Sequence, residues 1–225
     1  MTRRLDGQVI LDREDVGRIE AGRAVLFDVD GVLLDSMPVY RRVWARWARA
    51  CGLDPDAVWA VTPGRRPADV IEVLAPQLDL VDEIGRLTTL LDGELEHLPA
   101  MPGAADLLTS LPPFRWALVT SNTKEVVLAC FRRLRLPTPL LVVDGDAVER
   151  GKPHPEGFLR AASGLGVAPG DCLVVEDAPA GVLAARAAGM TVLGIASTEP
   201  EEKLAAADSV FASLREAAPA IRDWL

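Results

Sequence analysis

The chain has 225 residues, 49% of them hydrophobic and 25% charged, enough for one sizeable α/β domain with or without an inserted module, and too apolar for a disordered chain. Its net charge of −9 and the lack of any long run of Lys or Arg argue against a nucleic-acid partner. No stretch approaches the roughly 18 apolar residues of a membrane span, so no membrane partner is expected and the chain reads as cytoplasmic.

In chain order, residues 1–22 mix charges with short apolar pieces around Gly7 and Gly17 and read as an N-terminal extension that could hold a short hairpin. Ala24 to Phe27 is a β-favouring apolar run that stops at Asp28-Val29-Asp30-Gly31, the pattern of a buried parallel strand running into a functional loop. Apolar positions at helical spacing predict a helix from about Val39 to Cys51, stopped by Gly52, and others at Ala68 to Leu74 and Leu80 to about Leu95, with Pro63-Gly64 and Pro76 as breaks. Residues 37–98 therefore read as all-helical. After Pro99 to Gly103, short apolar runs alternate with helical patterns, as in βαβ units. Strands are predicted at Trp116 to Thr120, Leu140 to Val143, Cys172 to Val175 and Thr191 to Ile195. Helices are predicted at Gly103 to Leu111, Lys124 to Leu134, Pro155 to Gly164, Pro179 to Ala188 and near the C-terminus. The economical architecture is α/β: a doubly wound, Rossmann-like parallel-sheet core from 23–36 and 99–225, interrupted after its first strand by a helical insertion over 37–98. Ligands of such sheets sit beyond the carboxyl ends of the strands, and the polar motifs fall there.

Asp28 and Asp30 stand two apart at a strand end, so if the extended geometry persists both carboxylates emerge on one side. Such a pair needs a cation beside it or a retained proton. A hard divalent ion on Asp28 would offset repulsion from a phosphate, and a protonated Asp30 could supply a proton to a leaving oxygen; a surface Asx turn would use the same residues. Thr120-Ser121-Asn122-Thr123-Lys124 opens a helix with small donors that could hold phosphate oxygens or serve as an ordinary N-cap. The 24 basic residues include only three lysines, Lys124, Lys152 and Lys203. Lys152 lies in the stiff loop Gly151-Lys152-Pro153-His154-Pro155, where a compact ammonium could pair with a carboxylate and a phosphate oxygen, or simply be solvated. His154 and His97 read as solvent-facing or supporting. Cys172 to Val175 leads into Glu176-Asp177, adjacent acids that are costly at the end of a buried strand without a cation or hydrogen bonds. They suit a magnesium site completed from a second strand, or an N-cap by Asp177 with Pro179 in the first turn. The three cysteines, Cys51, Cys130 and Cys172, lack metal-binding spacing and read as buried free thiols.

In this order and spacing, DVDG at 28–31, TSN at 120–122, Lys152 in GKPHP and the acids Glu176 and Asp177 resemble the four motifs of the haloacid-dehalogenase-like phosphotransferases, over about residues 23–200. The helical stretch between the first two motifs resembles the cap of the subfamily that contains β-phosphoglucomutase and many sugar and polyol phosphatases. The resemblance implies Asp28 as nucleophile, Asp30 as general acid and then base, and Ser121, Asn122 and Lys152 as phosphate ligands. It implies Mg2+ on Asp28, on Asp30 through its backbone carbonyl and on Asp177, with Glu176 in direct or water-mediated contact. In the cap segment 62–67, Arg66 stands two positions after Gly64 and resembles the substrate-binding arginine of glycerol- and sugar-phosphate phosphatases; Arg65 could be surface charge on a helix entry.

The implied reaction is hydrolysis of a small sugar, polyol or glycerol phosphate through an aspartyl-phosphate. An intramolecular phosphate shift, as in β-phosphoglucomutase, would use the same residues. Lys124 resembles the mutases, whereas Pro67 stands where they carry arginine, which favours the phosphatase. The second aspartate of DVDG and the Glu176-Asp177 pair argue against a dehalogenase, and an intact catalytic set argues against a non-catalytic binding protein. The expected partners are a phosphorylated small molecule and Mg2+, with the chain a monomer or weak dimer.

Overall fold

The structure, a computed structural model, describes residues 3–5, 8–10, 22–91, 94 and 98–225. At the N-terminus β1 (Arg3–Leu5) pairs antiparallel with β2 (Gln8–Ile10), the hairpin expected in the extension. The four residues of β3 (Ala24–Phe27) are fully buried and pair on both sides in parallel, so their apolar run has no polar face to show. One flank of β3 holds β4 (Trp116–Val119) and then β5 (Val142–Val143). The other holds β6 (Cys172–Glu176), β7 (Thr191–Ile195) and the edge strand β8 (Ser209–Phe211). The chain thus winds outward from β3 on one side and returns to wind outward on the other, which opens a crevice at the carboxyl end of β3.

Alternation along the strands feeds two apolar layers. Val25, Phe27, Trp116, Leu118 and Val175 face one, and Ala24, Leu26, Ala117 and Val174 the other. Helices α1 (Met37–Ala50), α2 (Pro55–Trp59), α3 (Pro67–Leu74) and α4 (Leu80–Leu91) all lie between β3 and β4 in the chain. They are followed by α5 (Ala104–Ser110), α6 (Lys124–Leu134), α7 (Glu156–Gly164), α8 (Pro179–Ala187) and α9 (Leu214–Trp224). In α1 the buried residues Val39, Val43, Trp44, Trp47 and Ala48 form one stripe. Trp47 Nε1 donates to Glu83 Oε2 at 2.8 Å, which ties α1 to α4. The first apolar layer continues without a break from the sheet through Leu33, Leu34 and Leu98 into this helical insert.

The predicted elements are present, with instructive exceptions. The strand expected from Leu140 shrinks to Val142–Val143 because it lies at the edge and pairs only with Leu118 and Val119. β8 was not foreseen: its three residues are only partly covered, so no apolar run marks it. The short α2 was also missed, although Asp54-Pro55 carries its start signal, the Asp54 side chain accepting from the Asp56 amide at 3.1 Å. The expected extension of α4 to Leu95, and His97, lie outside the described residues. Among the described residues no helix is long and apolar enough to cross a membrane.

Candidate active site

The register Phe27↔Leu118 and Phe27↔Val175 brings the ends of the three central strands level, so Asp28, Glu176 and the carbonyl of Val119 converge. Lys152, on the loop before α7, reaches into this point. Its Nζ donates to Asp28 Oδ1, to Glu176 Oε1 at 2.6 Å and to Val119 O at 3.3 Å, which engages all three ammonium donors. Burial, with Glu176 and Asp30 adding to it, pushes the Asp28 carboxyl up, and the Lys152 ammonium pulls it back toward its ionised form by charge and hydrogen bond. For Lys152 burial works downward, but the carboxylates of Asp28 and Glu176 outweigh it and raise the ammonium above its ordinary range. Lys152 is therefore a fixed cation against the Asp28 carboxylate. Glu176 is committed at both oxygens, because Oε2 accepts from the amides of Asp177 and Ala178 at 2.8 and 2.9 Å. These three hydrogen bonds occupy most of the carboxylate's acceptor sites.

Asp28 and Asp30 line one cavity, brought there by a turn rather than by strand alternation: Val29 O accepts from the amides of Leu33 and Leu34, both at 2.9 Å. Asp30 is held independently of Lys152. Its Oδ1 accepts from Ser36 Oγ at 2.6 Å and its Oδ2 from Asn122 Nδ2 at 2.5 Å, while Asn122 Nδ2 also donates to Tyr40 Oη at 2.8 Å. Burial pushes the Asp30 carboxyl up, and the Ser36 and Asn122 donors pull it partly back. Ser36 and Tyr40 escaped the sequence reading. Ser36 sits where an N-cap of α1 belongs, yet its hydroxyl caps nothing and serves Asp30 instead.

The magnesium implied by the motifs can be tested against these atoms. Asp177 Oδ2 and Thr198 Oγ1 are buried with no hydrogen-bond partner among the described residues. Gly31, at φ +83°, opens toward them: a Cβ there would overlap Asp177 Oδ2 and come within 2.6 Å of Thr198 Oγ1. Burial, then Glu176 and Asp28, push the Asp177 carboxyl well up, and a divalent cation would favour its ionised form. Asp177 does not cap α8, whose N-cap is Ala178. Among the described residues no three His, Cys, Asp or Glu side chains form a ready cage. The set that the motifs imply, Asp28, Asp177 and the backbone carbonyl of Asp30, would suit an ion that takes few protein oxygens and keeps several waters. The residues fit.

Ser121 also lines the cavity, and its Oγ donates to Gly64 O of the helical insert at 2.9 Å. It is not an N-cap of α6; Asp144 holds that helix end by accepting from the Lys124 amide at 2.9 Å. His154 Nδ1 accepts from the Glu156 amide at 3.3 Å and supports its own loop. Arg66 departs from expectation. It does not line the cavity: Nε and one terminal nitrogen form a fork on Asp69 at 2.9 and 2.6 Å, and the terminal nitrogens also donate to the carbonyls of Gly145, Val148 and Glu149 at 3.3, 2.9 and 3.1 Å. Five donors are thereby engaged and none is left for a phosphate. Arg65 does line the cavity, with Trp44, Trp59 and Leu87 on the same insert.

The family profile of haloacid dehalogenase-like hydrolases matches residues 23–189. Hexitol phosphatase A of Escherichia coli is 38% identical over 199 residues, covering 86% of this chain and 92% of that protein. Glycerol-1-phosphate phosphohydrolase 1 of Saccharomyces cerevisiae is 35% identical over 191 residues, covering 78% and 75%. A hydrolase from Pseudomonas syringae has the same fold, with a TM-score of 0.79 at 24% identity over 89% of this chain and 98% of that one. The chain belongs to the haloacid dehalogenase-like hydrolases.

Proposed function

We propose that this chain is a cytoplasmic, magnesium-dependent phosphatase that hydrolyses a small sugar, polyol or glycerol phosphate through an aspartyl-phosphate on Asp28, with residues 37–98 as its cap. The observation that carries the reading is the buried Lys152 ammonium on Asp28 at the end of β3, beside an Asp30 fixed by separate donors. In the first step an Asp28 carboxylate oxygen attacks phosphorus, the bond from phosphorus to the ester oxygen breaks, and Asp30 gives its proton to the departing alkoxide. Asp30, now ionised, takes a proton from water as that water attacks the aspartyl-phosphate, releasing inorganic phosphate and the Asp28 carboxylate. The Lys152 ammonium, its three donors engaged, acts on the phosphoryl group through its charge in the transition state, and the Ser121 hydroxyl reaches a phosphoryl oxygen by giving up its bond to Gly64 O. Magnesium, bound by Asp28, Asp177 and the Asp30 carbonyl, would supply further positive charge at the phosphoryl group. We assign Glu176 to holding Lys152 rather than to the metal.

The polyol and glycerol phosphates named for the relatives support the substrate class. Arg65, whose side chain makes no hydrogen bond or ion pair among the described residues, supplies a cation on the cap side of the cavity. The test is phosphate release from a panel of sugar, polyol, glycerol and nucleoside phosphates, with magnesium or EDTA, for wild type and Asp28→Asn. Release that needs both magnesium and Asp28 is expected. Undiminished release by Asp28→Asn would overturn the reading, and isomer formation without release would make the enzyme a mutase.

A further inference from the structure

We propose that Arg66 and Asp69 are a positioning pair through which the helical insert sets the loop that carries Lys152, so that turnover depends on two residues that touch no substrate. The inference rests on the reading of Lys152 as the cation at the reacting phosphoryl group. Arg66 precedes α3 and Asp69 lies in its first turn, three residues apart on one face, where a planar guanidinium meets a carboxylate in two parallel hydrogen bonds. The remaining Arg66 donors cross to the core loop 79 to 83 residues away and hold the carbonyls of Gly145, Val148 and Glu149.

The same loop is held from its other side. Glu156 in α7 accepts from the amides of Glu149 and Arg150 at 3.1 and 3.2 Å, and Arg160 steadies Glu156 at 3.0 Å. Carbonyls face the insert and amides face α7, so the segment leading to Lys152 is clamped between them. The contact extends to the residue next to the lysine: a Cβ on Gly151 would overlap Asp69 Oδ2 and lie 2.6 Å from Arg66 Nε. One residue on, Lys152 threads its ammonium between Asp28 and Glu176. A displacement of the loop by about 1 Å would take the ammonium out of that geometry, and errors of that size cost up to about 10²-fold in rate. The insert is seated a second time at Gly64 O by Ser121 Oγ, so a shift of the insert would disturb the loop and the phosphate-binding hydroxyl together.

The probe is p-nitrophenyl phosphate with magnesium, on the full chain, for Arg66→Ala, Arg66→Lys, Asp69→Asn, the double variant Arg66→Ala/Asp69→Asn, and Asp28→Asn. Arg66→Ala and Asp69→Asn are expected to lower kcat by about 10- to 100-fold with KM within about threefold, the pattern of an interaction made only in the transition state. Arg66→Lys should not restore kcat, since an ammonium cannot make the fork, and the double variant should be no worse than the poorer single. Hydrogen exchange at the amides of 149–152 should speed up in each. Where a variant does not fold, Gly151→Ala disturbs the same contact from the core side and should show the same kinetic pattern. A rise in KM with kcat intact would make Arg66 a substrate ligand and overturn the proposal; so would unchanged kcat, or unchanged exchange at 149–152. Undiminished turnover in Asp28→Asn would instead sink the reading of the reaction, and the exchange result would stand apart from it.

Discussion

Substituting Glu176→Gln changes one oxygen to nitrogen and separates two roles for this side chain. Glu176 Oε1 accepts from the Lys152 ammonium at 2.6 Å, and Oε2 accepts from two backbone amides at 2.8 and 2.9 Å. Gly181 lies so close that a Cβ there would overlap the carboxylate, so the side chain is hemmed in on that side. A carboxamide has one acceptor, and whichever way it is turned its NH2 group meets a donor. The loss is one charge-assisted hydrogen bond, about 1.5–3 kcal/mol, plus poorer compensation of the buried ammonium. Together these give about 2–4 kcal/mol, which at about 2 kcal/mol per molar urea lowers the unfolding midpoint by about 1–2 M. Tryptophan emission can follow the transition, since Trp116 is buried in β4, and EDTA keeps metal out of the stability comparison. On the same variant kcat should fall by about tenfold or more as Lys152 loosens, while the magnesium concentration for half-maximal rate stays within about threefold. An unchanged midpoint in EDTA, with the magnesium requirement raised tenfold, would refute this reasoning and place Glu176 at the metal.

Ser121→Ala, read by kcat/KM and by urea unfolding, should lose about tenfold in kcat/KM, roughly 1.4 kcal/mol of transition-state stabilisation; a lower midpoint with kcat/KM intact would reduce Ser121 to a seat for Gly64. Gly31→Ala forces a side chain into φ +83° and onto Asp177, so calorimetry should show magnesium binding weakened by about tenfold or more, beyond the roughly 1–2 kcal/mol of backbone strain. Burial pushes the Cys172 thiol up to about 12, and Cys130 is also buried. A thiol reagent at neutral pH should therefore modify the half-buried Cys51 first, and all three cysteines only after unfolding.

The positions of the candidate-site motifs were legible because they are local: each motif directly follows an apolar run short enough to be only a buried strand, and parallel pairing brings such ends together. Asp28, Ser121 and Glu176 could be placed on strand ends for that reason. What a side chain does there depends on partners far away in the chain. Arg66 has the spacing of a substrate arginine, but its carbonyl partners at 145–149 exist only once the insert rests on the core. Glu176 reads from the sequence as a metal contact, and nothing there shows that its carboxylate also meets Lys152 and two backbone amides. Thr198 had no signal at all, since it lies beyond β7 in a loop that reaches Asp177 only through the sheet order.

Val43, Trp44 and Leu87 line the cavity and are also interior residues of the helical insert, exposed by only 1%, 4% and 3%. Descendants of this protein that adapt to a new alcohol by trimming these walls would open voids costing about 2–5 kcal/mol per large side chain removed, a large share of the margin an ordinary domain has. Met37, Trp59, Arg65 and Leu91 border the same space from half-buried positions and can vary with much less disruption. Drift in preference should therefore begin at that rim, and reach the deep wall only in lineages that have first gained stability elsewhere.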